Sequence, residues 1–303
     1  MSSPCETPDG DRLDHRLRRA ILDRLGFPAT PPANLEGLRA VYGAWCQRVP
    51  FDNFQKVIAL KTGKPGLLPG IRAVEFFEAW LADGTGATCW PSANALQALL
   101  ESLGFEARRV AAHMHDAGVF NHGTVIVRCE GHDWLADSSL HTEAPMPLRR
   151  AGFVQANAAF FAEIEYARRD RDTDGYILWV NAPVSPEYLA CRIFPEPVEH
   201  AYFVERFEAS RERSPFNSRP YIRRNRGEEM LVLVGSMRYV RSARSLSGKS
   251  LSRPEILQTL RDDFHLSEGI LERWAAAGGL EATFEEYTGP SFPPAARRPP
   301  SRR

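Results

Sequence analysis

The chain lacks any run of apolar residues near 18, the length a membrane-spanning helix needs. Its longest aliphatic block, Met230 to Val234, is strand-sized. It lacks a charge of one sign: Lys plus Arg is 38 and Asp plus Glu is 38. That balance removes nucleic-acid binding by bulk electrostatics. It lacks CxxC pairs, and its five cysteines (Cys5, Cys46, Cys89, Cys129 and Cys191) are odd in number and widely spaced. A disulfide framework and a zinc ribbon are therefore disfavoured. No GxxxxGK[ST] occurs, and Gly84-x-Gly86 lacks the third glycine and the preceding strand of a dinucleotide loop. Met1 to Glu6 is polar, without the basic-then-apolar order of a secretory signal. A reduced, cytoplasmic protein that uses neither nucleic acid nor membrane is expected.

What is present fits a globular protein. Of 303 residues, 43% are hydrophobic and 25% charged. A chain of this size buries roughly 75% of its unfolded surface and needs no covalent staple. Leu13, Leu17, Ile21 and Leu25 at four-residue spacing predict a helix over Asp11 to Leu25, stopped by Gly26-Phe27-Pro28. Asn34 is the predicted cap of a second helix, ending at Val49-Pro50-Phe51, and Ala73 to Ala82 reads as a third. Leu96, Leu99, Leu100 and Leu103 mark a helix that starts near Pro91, where a proline costs no hydrogen bond. Strands follow over Glu106–Ala112, His122–Cys129 and His132–Asp137, with more at Tyr176–Val180 and Glu229–Val240. Ser252-Arg253-Pro254-Glu255 is a capping box, and a late helix covers Ser267 to Ala276.

This order predicts an α+β fold. Residues 1–84 form a helical domain, 85–200 the helix-and-strand domain, 201–288 an α/β region, and 289–303 a Pro/Arg-rich tail.

One constellation carries chemistry. A nucleophilic thiol needs a lowered pKa, a base, and a group that orients the base. Cys89 sits at a helix start, where free N–H groups and the dipole favour thiolate and can hold an oxyanion. The small residues Gly84 to Thr88 ahead of it are read as room for substrate. If Glu130-Gly131 is a hairpin turn, paired residue numbers sum to 261. Arg128 then faces Asp133, a match of opposite charges, and His122 lies diagonal to Asp137 on one face. A one-residue slip would separate them. Asp137 can then orient His122, and His122 can serve Cys89. Each residue taken alone is also an ordinary structural residue; order and parity together make the case.

These residues resemble the arylamine N-acetyltransferase family, within the papain- and transglutaminase-like thiol enzymes. Val49-Pro50-Phe51-Asp52-Asn53-Phe54 is similar to that family's VPFEN segment. Cys89 with Leu103-Gly104-Phe105 resembles its active-site cysteine and the LGF that follows. His122, Asp137, Ser214-Pro215-Phe216 and Asp263-Phe264-His265-Leu266 fall in the family's order. The resemblance spans roughly residues 11 to 275. It implies a cysteine-proteinase-like core, a β-barrel-like middle domain and an α/β C-terminal lid. It also implies ping-pong acyl transfer from acetyl-CoA or a similar thioester to a small-molecule amine, with no permanently bound cofactor. Cys89 is then the nucleophile, His122 the proton relay and Asp137 its orienter. Phe51, Trp90 and Phe216 are implied to line the substrate pocket.

There are departures. The family's RGG-x-C is here Thr85-Gly86-Ala87-Thr88-Cys89. Pro91 replaces a carboxylate, the family asparagine is displaced to Asn94, and VGFG is replaced by Ser138-Ser139-Leu140-His141. They leave two other readings open: an amide synthase fed by an acyl carrier protein, and a lapsed enzyme kept as a binding module. His113-x-His115 with His122 and His141 offers imidazoles but no completing ligand for a metal. Ten arginines and one lysine against four glutamates between Arg206 and Lys249 read either as a phosphate cradle or as a solvated face.

Overall fold

The computed structural model describes residues 11–115, 118–149, 154–155, 162–168 and 174–286. Helix α1 (His15–Leu25) starts on Asp14, whose carboxylate accepts from Leu17 N at 2.7 Å. The predicted start at Asp11 is too early. Asp11 turns inward and is 2% exposed; its carboxylate accepts from Ala73 N at 3.0 Å and from Asn94 Nδ2 at 2.7 Å. Helix α2 (Leu35–Arg48) begins as predicted, with Asn34 accepting from Gly37 N at 2.9 Å.

The first 84 residues are not all helical. Phe51 and Asp52 form a two-residue strand, β1, followed by helix α3 (Phe54–Thr62). Helix α4 (Ala73–Asp83) closes at Gly84 in the left-handed conformation. Next comes α5 (Cys89–Ser102), in which every residue from Cys89 to Leu100 is buried. A helix buried all round belongs at the centre of a protein, and the polar Ser92, Asn94 and Gln97 are buried with it. It packs against α4 on one side and against the middle sheet on the other.

That sheet is antiparallel and has eight strands among the described residues. Its strands are β2 (Glu106–Met114), β3 (His122–Cys129), β4 (His132–Ala136), β5 (Met146–Pro147), β6 (Val154–Gln155), β7 (Ala162–Arg168), β8 (Asp174–Asn181) and β9 (Tyr188–Pro197). The spatial order is β5-β4-β3-β2-β9-β8-β7-β6, the barrel-like middle sheet expected. The β3–β4 register is the predicted one: Val125↔Ala136, Val127↔Trp134, Arg128↔Asp133 and Cys129↔His132. Arg128 reaches Asp133 at 3.3 Å, and Arg108 on β2 reaches it at 2.7 Å.

Helix α6 (His200–Ala209) returns to α5, burying Phe203 and Phe207. A second sheet runs β1-β10-β11-β12-β13, with β10 (Tyr221–Arg226), β11 (Glu229–Val234), β12 (Met237–Arg241) and β13 (Leu246–Ser250). Leu231, Val232 and Leu233 are fully buried, as core strand. Ser252 and Glu255 form the predicted capping box of α7 (Arg253–Asp262), and Ser267 caps α8 (Glu268–Ala276). A short α9 (Gly279–Ala282) follows. Phe54 and Val57 of α3 share a core with Ile222, Phe264 and Trp274, so residues 51–62 pack with the C-terminal third. The predicted tail, 289–303, lies outside the described residues.

Candidate active site

Cys89 is the first residue of α5. Its N–H and that of Trp90 precede the first intrahelical bond, Ser92 N to Thr88 O at 3.1 Å. Pro91 has no N–H to leave unpaired. The loop ahead of the cysteine is held by β1. Phe51 forms a parallel bridge to Ala87, and Asp52 N donates to Ala87 O at 3.2 Å. The Asp52 carboxylate, fully buried, accepts from Gly86 N at 2.5 Å and from Phe54 N at 3.0 Å. Burial raises its pKa to about 7, against those two bonds. The smallness of Gly86 serves this packing rather than substrate entry, which corrects the sequence reading: a Cβ there would stand 1.8 Å from Pro50 O.

His122 opens β3, and Asp137 lies one step past the end of β4. His122 Nε2 and Asp137 Oδ2 are 2.7 Å apart, at 3% and 0% exposure. The other carboxylate oxygen accepts from Ser139 N at 2.9 Å and Leu140 N at 2.8 Å, so the aspartate is fixed from both ends. Burial alone would lower the His122 pKa. The Asp137 carboxylate and the Cys89 sulfur outweigh it and raise it to about 10. Burial would raise Asp137, but the His122 charge and the backbone donors lower it to about 2. With Nε2 turned to Asp137, Nδ1 is the ring nitrogen left for the thiol. Cys89 Sγ lies 3.9 Å from Asn121 O, its neighbour on the chain to His122.

Helix α2 steadies the turn after Asp137. Tyr42 Oη donates to Asp137 O at 2.8 Å and accepts from Thr142 N at 3.2 Å, and Trp45 Nε1 donates to Ser138 O at 3.2 Å. Gly123, next to His122, has no room for a side chain: a Cβ would come within 2.5 Å of Trp90 and 2.6 Å of Phe203. Trp90 stacks edge-on with Phe203 at 4.9 Å between centroids.

Cys89 and His122 line one cavity of about 780 Å³, and Phe51, Trp90 and Phe216 line it too. Phe51 and Phe216 meet edge-to-face at 5.2 Å. All six residues singled out in the sequence are thus brought to one place, with Asp137 behind His122. Among the described cysteines only Cys89 lines the cavity; Cys46 and Cys191 are buried elsewhere with their thiol pKa values pushed well up by burial. Asn94 is structural, donating to Asp11 and to Ile71 O at 2.9 Å. Among the described residues no His, Cys, Asp and Glu cluster could hold a metal, and His113 packs on Phe120 and Phe194 instead. The arginine-rich stretch divides: Arg226 and Arg238 pair with Asp263, whereas Arg206, Arg213 and Arg223 line the cavity. Sequence reasoning missed Lys56 and Arg223 as cavity residues. Lys56 is marked only as the one charge in the run Phe54 to Leu60, and Arg223, one of three arginines between Tyr221 and Arg226, is marked by nothing local.

Residues 34–270 match the N-acetyltransferase family. The chain belongs to that family. Among solved structures it is similar to the arylamine N-acetyltransferase from Mycobacterium abscessus, at 20% identity and a TM-score of 0.76, covering 93% of this chain and 100% of that one. The Nocardia farcinica arylamine N-acetyltransferase gives 20%, 0.74, 90% and 97%. The Mycobacterium marinum enzyme, solved in complex with CoA, gives 18%, 0.71, 88% and 96%. No curated protein matches in sequence. Membership makes the chain an N-acetyltransferase-type enzyme, and the solved structures share its α+β, cysteine-proteinase-like fold. Among the described residues no helix is long and apolar enough to cross a membrane.

Proposed function

We propose that the protein transfers an acyl group from a thioester, acetyl-CoA or a similar donor, through Cys89 to an amine. The observation that carries this is the buried 2.7 Å contact of His122 with Asp137 at the wall of the cavity that holds Cys89. His122 already holds the thiol's proton as an imidazolium, and the Cys89 sulfur attacks the thioester carbonyl as the thiolate. The N–H groups of Cys89 and Trp90 are the donors placed to meet the oxyanion. The carbon–sulfur bond to the donor breaks, the leaving thiolate takes the proton from His122, and Cys89 is left acylated. The amine then attacks the acyl carbon and gives its proton to His122, and the Cys89 thiolate departs as the amide forms. Asp137 holds the imidazole and stabilises its charged form throughout.

Intact-protein mass spectrometry after brief incubation with acetyl-CoA and other acyl thioesters tests this. The expected result is one acyl adduct on the wild type, none on Cys89→Ala, and loss of the adduct on adding an amine. An adduct that persists in Cys89→Ala would sink the assignment. A donor accepted only when carried on an acyl carrier protein would move the reading to an amide synthase. An unreactive Cys89 with every thioester would move it to a binding module.

A further inference from the structure

The cavity holds two cations that the acyl-transfer chemistry does not use. Lys56 on α3 is 4% exposed, and its ammonium donates to Ser210 Oγ at 2.7 Å and Ser210 O at 3.4 Å. Arg223 on β10 is 3% exposed, lies 5.8 Å over the Phe51 ring, and is the cross-strand partner of Phe51. Neither makes an ion pair among the described residues. The Arg223 guanidinium bonds the Tyr221 side chain, but among the described residues its Nε and Nη2 have no hydrogen-bond partner. These two atoms form one edge of the guanidinium, the edge that grips a carboxylate side-on through two parallel bonds. A buried guanidinium left with two open donors is costly unless something occupies them. The Ser139 hydroxyl, 4% exposed and also lining the cavity, likewise has no partner among the described residues. It belongs to the segment that replaces the family's VGFG. Among the described residues of the cavity wall the one carboxylate, Glu187, is exposed.

Burial lowers the Lys56 pKa to about 8, while the Cys89 sulfur and Glu208 pull it up and Arg211 pulls it down; near neutral pH it carries its charge beside the thiol. Both cations are therefore desolvated and within one cavity of the nucleophile. The phosphates of CoA lie at the far end of the pantetheine arm from the thioester. The half-buried Arg206 and exposed Arg213 suit them better than the two deep cations do.

We propose that a substrate of this cleft carries a carboxylate, held by Lys56 and by the open edge of Arg223. The proposal rests on the acyl-transfer reading for its location but not for its chemistry. The carboxylate has two sources: the amine acceptor or the acyl group.

Calorimetric binding of 4-aminobenzoate and its neutral analogue 4-aminobenzamide to the full chain tests the acceptor source. Adduct formation on Cys89 from succinyl-CoA and butyryl-CoA tests the acyl source. We expect at least a tenfold preference for the charged member in one pair. Arg223→Gln and Lys56→Met should each cut that preference at least threefold, and Arg223→Lys should keep part of it. Circular dichroism and melting temperature identify any variant that fails to fold, and the conservative Arg223→Lys keeps the test open in that event. No preference in either pair overturns the proposal. So does a preference that both variants leave intact, or variants that alter only the affinity for CoA relative to pantetheine. A carboxylate preference in binding, with no Cys89 adduct from any thioester, would instead overturn the acyl-transfer reading and leave the anion subsite standing.

Discussion

At the scale of single residues, the site rests on a titration held out of its ordinary range. An imidazole usually loses its second proton between pH 6 and 7. His122 keeps it to about 10, because burial is overcome by Asp137 and by the Cys89 sulfur. The consequence is measurable by NMR of the ring nitrogens. At pH 8 both should be protonated in the wild type, and Asp137→Asn should bring the midpoint down by at least two pH units. A wild-type midpoint near 6.5 would mean that Asp137 does not control the ring. Cys89 was legible from its place at a helix start, and His122 and Asp137 from strand parity. One charge match, Arg128 with Asp133, fixes the β3–β4 register, and the register fixes the face that His122 shares with Asp137. Lys56 and Arg223 were not legible by that route. Their places depend on α3 and β10 converging from far apart in sequence, and no local period encodes that.

At the scale of elements, the cysteine's position is set by β1 and the loop it holds. Phe51 and Asp52 look like the end of a helix in sequence, because two residues are too few to show a strand period. Their partners are Ala87 on one side and Arg223 on the other. Strand β9 escaped notice for a different reason. It carries Pro195 and Pro197, and the β2–β9 register shifts between Val110 and Ala112, so alternation is broken where the strand is longest. Helix α6, with Phe203 and Phe207 one turn apart, carried a readable pattern that went unread. The loop yields the second prediction. In Gly86→Ala the new methyl would meet Pro50 O at 1.8 Å, so the loop must move. The expected cost is about 1–3 kcal/mol of stability in urea unfolding, with acylation of Cys89 slowed as well. Wild-type stability in that variant would show that the loop has slack.

At the scale of the whole molecule, two buried aspartates pull the pH dependence of stability in opposite senses. Asp137 has its pKa lowered to about 2, so its contribution is present above the unfolded value near 4 and lost as pH falls towards 2. Asp52 has its pKa raised to about 7, so the folded state binds a proton that the unfolded chain has released. Its effect is loss of stability as pH rises from about 4 to 7, on the order of 4 kcal/mol at most. Urea unfolding should therefore show a chain more stable at pH 5 than at pH 8. Asp52→Asn should lessen that slope, leaving the loss that His122, with its pKa raised to about 10, adds above pH 6.5; an unchanged slope would remove Asp52 as a source. The overall order, helices, then mostly strands, then strand plus helix, followed from hydrophobic periodicity and from capping and turn residues along the chain. The way residues 51–62 join the C-terminal third did not, since it is a matter of long-range packing.

The double pairing of β1 also sets an order of events in time. The chain is made from its amino terminus, and Cys89 emerges well before residue 223. Until β10 arrives, Phe51 has a partner on one edge only, and the loop before the thiol lacks its outer support. A nascent or truncated chain therefore carries the cysteine without the frame that aims it. The thiol is framed on both sides only once β10 is in place, more than 130 residues after the cysteine itself.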